Sequence, residues 1–186
     1  MEEPKYLSGQ FLLAMPGIGD PRFDKAVIAM CVHDEGGALG IGLGRIVPRI
    51  GFHGLLRQLD IDPGVAPDVA IHLGGPVEPQ RGFLLHTSDW GGQDSVQVAD
   101  RWALTATLDI LRAIAEGRGP SRWVAALGYA GWGEGQLEEE MSGHGWFTTP
   151  GSDALLYDCD VDSRWASGFR SAGIDPRLLT ADFGNA

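Results

Sequence analysis

Short apolar runs, each closed by glycine or proline, fix what this chain can fold into. "GQFLLAMP" (9–16) reads as a buried strand ended by Pro16. "GIGDPRF" (17–23) reads as a turn, because Gly, Asp and Pro set the backbone there. "KAVIAMCVH" (25–33) is apolar and β-branched and predicts a strand. "DEGG" (34–37) predicts a hairpin loop, and "ALGIGLGRIV" (38–47) the returning strand. Gly40, Gly42 and Gly44 lie two apart, hence on one face of that strand. A face without side chains admits another backbone or a ring at close range.

The later runs mix two periods. "GFHGLLRQLDI" (51–61) holds a short helix, and "DVAIHLGGPV" (68–77) is a strand running into a Gly-Gly-Pro turn. "GFLLHTSDW" (82–90) and "SVQVAD" (95–100) read as strands. "LTATLDILRAIAEG" (104–117) is the clearest helix, with Leu104, Leu108, Leu111 and Ile114 at helical spacing and Gly117 at its end. "RWVAALGYA" (122–130) predicts a buried strand, followed by a helix at 134–142. "WFTTP" (146–150) and "ALLYDC" (154–159) read as extended. "DSRWASGFRSAGI" (162–174) is an amphipathic helix capped by Asp162 or Ser163, and "DPRLLT" (175–180) a last helical turn. Strands first and a mixture afterwards predict one α+β domain over 7–186. Its sheet is mixed and mostly antiparallel, open to partial closure, with about four flanking helices. Residues 1–6 and 181–186 are expected as frayed ends.

Charge narrows the function. The 186 residues carry a net charge of -11. Of the 14 basic residues only Lys5 and Lys25 are lysines, and the arginines are scattered. Nucleic-acid binders gather Lys and Arg into a stripe, so direct nucleic-acid binding is disfavoured. Cys31 and Cys159 form no CxxC pair, so a disulfide framework or zinc site has no local support. The start has no basic n-region, and the run Phe11 to Met15 is too short for a signal peptide or a membrane span. The expected compartment is the cytoplasm, with no membrane partner.

Motifs for bound phosphate, metal or cofactor are missing. Neither lysine follows a Walker run, "GIGLGR" (40–45) lacks the third glycine of the dinucleotide fingerprint, and HExxH and GxSxG do not occur. No metal and no cofactor is expected. Cys31 and His33 are expected on one strand face, with Asp34 and Glu35 following, where a metal site or a thiolate–imidazole pair competes with a plain buried cysteine and a loop-edge histidine. A Ser–His–Asp arrangement can be drawn from Ser88, His86 and Asp89, although triads are defined by geometry and not by proximity in sequence.

"ALGYAGWGEGQLEEE" (126–140) poses a sharper question. Its glycine-rich turn into a helix resembles a phosphate cradle. Glu134 already occupies the helix start, Glu138, Glu139 and Glu140 follow, and no Lys or Arg lies between Trp123 and Arg164. A phosphate there would meet carboxylates alone. Tight packing is one reading of the stretch. The other is a recognition surface in which Tyr129 and Trp132 supply apolar contact and Gln136, Glu138 and Glu140 are polar anchors. Residues 136 and 140 stand one turn apart on the same helix face.

Several segments together resemble the YqgE/AlgH family of bacterial proteins. They are "GQFLLAMPG", "DPRF", "CVHDEGGALGIGL", "LGGPVEPQRGFLLH", "ALGYAGWGEGQLEEE", "WFTTP" and the closing "RW…GIDPRLLTADFGNA". The resemblance implies a cytosolic α+β domain. For some members it implies the label of transcriptional regulator, by association with control of exopolysaccharide synthesis. It brings no catalytic residues. The family pattern "GLVINR" has Asn where this chain has Gly44, before Arg45.

Three readings stay open. The first is a non-enzymatic regulatory protein that binds a protein or small-molecule partner through Tyr129, Trp132, Gln136, Glu138 and Glu140, together with the Gly74–Gly75 turn. The second is an enzyme using His33, His86 and Glu138 as acid–base groups. The third is a direct DNA-binding regulator, against which the charge speaks.

Overall fold

The first hairpin shows how the sequence builds the sheet. In the computed structural model, which describes residues 6–16, 23–92 and 94–179, β1 (Gln10–Ala14) pairs antiparallel with β2 (Val27–Asp34). A tight turn at residues 35–36 then returns the chain as β3 (Gly37–Gly42), also antiparallel. Side chains alternate along these strands. Phe11, Leu13, Val27 and Ala29 enter one buried cluster, while Leu12, Ala14, Ile28 and Met30 enter another on the opposite face.

The strand expected over 38–47 is broken. Leu43 still donates its N–H to Val27 O (2.7 Å), but the chain then turns away into β4 (Ile46–Gly51) and α1 (Phe52–Gln58). β5 (Ala70–Leu73) pairs antiparallel with β4. The long β6 (Val77–Thr87) leads to β7 (Val96–Val98), β8 (Trp102–Thr105), α2 (Leu108–Ala115) and β9 (Trp123–Trp132). The chain closes with α3 (Gln136–Ser142), β10 (Trp146–Pro150), α4 (Asp153–Tyr157), α5 (Val161–Ser171) and a 3-10 turn at Pro176–Leu178.

The strand order is β10-β1-β2-β3-β9-β6-β8-β7, antiparallel throughout, with β5 joining β9 as a parallel neighbour. The sheet curls until β7 lies against β2. Its concave face holds a cluster that draws Phe11, Ile41, Phe83, Trp102 and Leu104 from distant strands, with Leu156 and Phe169 from α4 and α5. α1 and α2 cover the convex face over β6 and β9, and α3 covers it beside Trp132 and Trp146. The fold is thus the expected α+β class with a mixed, mostly antiparallel sheet. Among the described residues no helix is long and apolar enough to cross a membrane.

Two expected elements are corrected. Residues 102–105 form β8 and not the start of the helix, because Leu84–Thr87 of β6 pair with them and Trp102 and Leu104 alternate into the core. Leu104 fits both periods, and strand pairing decides. Residues 153–157 form α4 and not an extended segment, because the Ser152 hydroxyl accepts the Leu155 N–H at 3.2 Å and caps the first turn. α5 starts at Val161, so its cap position is Asp160, in extended backbone, two residues before Asp162 and three before Ser163. The turn expected at 17–23 and both expected frayed ends lie mostly outside the described residues.

Candidate functional site

Of the three glycines expected on one strand face, Gly42 is met by backbone of another segment, Gly40 lies against the Ile28 and Met30 side chains, and Gly44 lies past the end of β3. Gly42 donates its N–H to Gly74 O at 2.7 Å, and Gly74 donates in turn to Leu127 O at 2.8 Å. A Cβ on Gly42 would stand 2.7 Å from Leu73 O, and one on Gly74 2.2 Å from Gly128 O. The 73–75 turn is therefore wedged between β3 and β9, where there is no room for side chains. Beside this wedge lies a slot of about 260 Å³. Phe23, Ala26, Ile28, Leu73, Pro76 and Pro79 wall it, and Gly42, Gly44, Gly74 and Gly75 expose backbone to it. Arg45 is the one ionisable group among its described lining residues.

Of the residues singled out in the sequence, Gly74 and Gly75 belong to this slot. The backbone of Tyr129 meets Gly75, and the side chains of the others line or support a different surface. Tyr129 is half-buried, its ring edge-on to Phe83 at 5.7 Å. Together with the buried Trp132 it lines a shallow depression. On α3, Gln136 accepts the Gly133 N–H (3.0 Å) and donates to Glu140 (3.2 Å), which also accepts the Trp146 indole N–H (3.2 Å). Glu138 accepts from His33 Nε2 at 2.6 Å. Trp132, Gln136, Glu138 and Glu140 thus form a network that ties α3 to β2, β9 and β10.

The buried histidines are saturated. Leu7 donates its N–H to His33 Nδ1 (2.9 Å), so the ring proton sits on Nε2 and goes to Glu138. His86 donates from Nδ1 to Thr87 O (2.7 Å), and its Nε2 accepts from the Thr105 hydroxyl (2.8 Å). Burial lowers its pKa. His86 therefore does not join His33 and Glu138. The drawn triad is also not assembled, since Ser88 bonds to Arg101 O, and Asp89 to Thr87 and Ser121. Cys31 and His33 do not share a face. The register shift between Met30 and Val32 sends both Cys31 and Val32 to the concave cluster, while His33 meets α3 on the other side. Burial pushes the Cys31 thiol up to about 12, which removes it as a nucleophile at neutral pH. Among the described residues no group of His, Cys, Asp or Glu could hold a metal ion.

Sequence reasoning missed a buried cation. Arg164 of α5 is 3% exposed, and no carboxylate is among its hydrogen-bond partners. Its five N–H groups go to Leu43 O, Leu155 O, Leu156 O, Cys159 O and His72 Nε2, at 2.6 to 3.2 Å. His72 donates from Nδ1 to Ala125 O at 3.1 Å, which leaves its Nε2 lone pair to Arg164. The clamp joins the end of β3, β5, β9, α4 and α5. The readable signal was position: Arg164 and Gly168 stand four apart on the buried side of α5.

Burial, and then the Arg164 charge, lower the His72 pKa to about 4. The unfolded chain binds this proton near pH 6.5 and the folded one only near 4, so stability is full above the first value and falls as pH drops toward the second. We expect His72 to remove about 2 kcal/mol of stability between about pH 7 and pH 5. His72→Gln keeps a donor and an acceptor without titrating. Urea unfolding at the two pH values should show the wild type losing more than this variant, and equal losses would contradict the assignment.

Fold and site together define an α+β protein with a curled, mostly antiparallel sheet and a glycine-walled apolar slot beside a backbone wedge. The chain belongs to the AlgH-like family, whose model matches residues 11–177. It is 65% identical over 186 residues to the UPF0301 protein of Rhizorhabdus wittichii, covering 100% of both chains. To the UPF0301 protein of Novosphingobium aromaticivorans it is 59% identical, again over 100% of both. Among solved structures, AlgH from Pseudomonas aeruginosa superposes with a TM-score of 0.81 at 37% identity, over 100% of this chain and 99% of that one. Protein DIP2367 of Corynebacterium diphtheriae gives 0.75 at 22% identity, over 97% and 94%, a likeness of fold.

Proposed function

We propose that this protein is a non-enzymatic cytoplasmic binding protein that takes a small, largely apolar ligand in the slot beside the 73–75 turn and serves a regulatory role through it. The slot itself carries this reading. It is concave and apolar, with one charged residue at its edge, which is the composition of a ligand site. The saturated ring nitrogens of His33, His72 and His86 support binding over acid–base chemistry, since each lone pair and ring proton already has a protein partner. The free thiols of Cys31 and Cys159 suit a reducing compartment.

A protein partner is the second reading, favoured by the open depression at Tyr129 and Trp132. The charge of -11 favours either partner over nucleic acid or an anionic membrane surface.

A thermal-shift screen of small apolar acids, alcohols and amines tests the first reading. A ligand at about 100 times its Kd adds about 2.7 kcal/mol. For a chain of this length that raises Tm by about 5–11 °C. A flat response across the panel would contradict the ligand reading and turn attention to the depression.

A further inference from the structure

The depression at Tyr129 differs from the slot in what surrounds it. It measures about 540 Å³, and Val32, Leu39, Val77 and the Tyr129 ring give it apolar surface. A Cβ on the exposed Gly131 would stand 3.3 Å from that ring, so the missing side chain leaves space beside it. Asp34 is the one charged residue among the described lining residues. Its Oδ1 accepts the Gly36 N–H (2.8 Å), which fixes the carboxylate at the hairpin tip and leaves Oδ2 without a partner among the described residues. Glu35 follows at the same tip. Glu134 follows the end of β9, whose backbone abuts the hairpin: a Cβ on Gly37 would stand 2.3 Å from Trp132 O. Both glutamates are exposed, and neither is in an ion pair among the described residues. All the described lining residues but Val77 come from residues 26–44 and 124–163, and those two segments contain no Lys or Arg. Arg81, over the Phe83 ring that meets Tyr129 edge-on, is paired with Glu78 at 3.4 Å.

We propose that this depression docks a basic segment of a partner protein, with one apolar side chain of that segment against Tyr129, Leu39 and Val77 and its flanking lysine or arginine side chains on Asp34, Glu35 and Glu134. This rests on the protein-partner reading and adds the chemistry of the partner; the slot is independent of it. Charge complementarity selects the occupant. A neutral segment would desolvate Asp34 with nothing in return, and an acidic one would add repulsion. A second copy of this chain is disfavoured on the same ground, because it brings a net charge of -11 against -11 and a symmetric contact sets the Asp34–Glu35 tips near one another. The apolar side chain supplies the buried centre of the contact and the cations its polar rim. Asp34 is already ordered by its hairpin bond, so pairing it costs little further ordering.

The test is amide chemical-shift mapping of the full chain, titrated at physiological salt with three blocked peptides. The first has a central leucine between two pairs of lysines, the second has glutamate for each lysine, and the third has alanine for the leucine. The lysine peptide should shift Val32 to Leu39 and Tyr129 to Gly133 most, and should bind at least about tenfold more tightly than the glutamate peptide. The alanine peptide should bind about fivefold more weakly than its leucine parent. Asp34→Asn, which can still accept from Gly36, should weaken the lysine peptide about fivefold, the upper end for an exposed ion pair. Asp60→Asn, in the exposed turn after α1, should change it less than about twofold. Equal affinity for the lysine and glutamate peptides at the depression overturns the charge assignment and leaves the depression as an apolar docking face. An alanine peptide as tight as its parent, shifts spread over the acidic surface, or equal losses in the two variants would mean attraction by net charge alone and overturn the proposal. No shift from any of the peptides overturns the protein-partner reading at this surface.

Discussion

Arg164→Ala will lower the stability of this protein by about 4 kcal/mol or more, read as a shift in the midpoint of urea unfolding. The substitution removes five donors at once. It leaves the carbonyls of Leu43, Leu155, Leu156 and Cys159 and the Nε2 of His72 without their partner. A buried acceptor left unsatisfied costs about 1–3 kcal/mol, and relaxation or an entering water recovers part of the total. Arg164 also joins segments far apart in sequence, from Leu43 to Cys159, so the loss is not confined to one helix end. The expected fall in Tm is about 8–16 °C. Arg164→Met restores volume and no donors, and should be nearly as unstable. A loss below about 1 kcal/mol for both variants would mean that solvent reaches these carbonyls.

Gly75→Ala will be the most damaging single-methyl change at the candidate site, costing about 3 kcal/mol or more. Two effects combine. Gly75 has φ +155, a conformation that residues with a Cβ rarely adopt, and the added atom would lie 2.1 Å from the backbone carbon of Tyr129. A flexible side chain could swing away, but the backbone of β9 cannot. Gly82 provides the control, since a Cβ there meets nothing within 4 Å. Gly82→Ala should therefore stay within about 0.5 kcal/mol of the wild type. Comparable stability of the two variants by thermal and urea unfolding would contradict the wedge as described.

Much of this fold was legible in the sequence, and the limits have physical causes. The alternation of Phe11 to Ala14 and of Val27 to Met30 is a period-2 signal, and the sheet uses it on both faces. Close backbone approach at the glycines of β3 was also legible, and holds at Gly42, while Gly44 falls beyond the strand. What covers Gly42 was not legible, because the Gly42–Gly74 bond joins residues 32 positions apart. The Gly74–Gly75 turn and the Tyr129–Glu140 stretch were grouped from composition as one surface; the turn packs on the backbone of Gly128 and Tyr129, while the slot and the Tyr129 and Trp132 side chains line separate cavities. Trp132, Gln136, Glu138 and Glu140 have partners on β2, β10 and the chain before α3, and such partners are tertiary facts. Arg164 escaped notice because its partners are mainly carbonyls, which no residue type signals.

Amide chemical-shift mapping with phenylbutanol, an apolar alcohol whose ring the slot admits, tests the slot as a ligand site most directly. The largest shifts should fall on Ala26 to Ile28, Gly42 to Arg45 and Leu73 to Gly75, and should saturate together with one affinity. Shifts that instead centre on Tyr129, Trp132 and α3, or that stay below noise at millimolar probe, would contradict it.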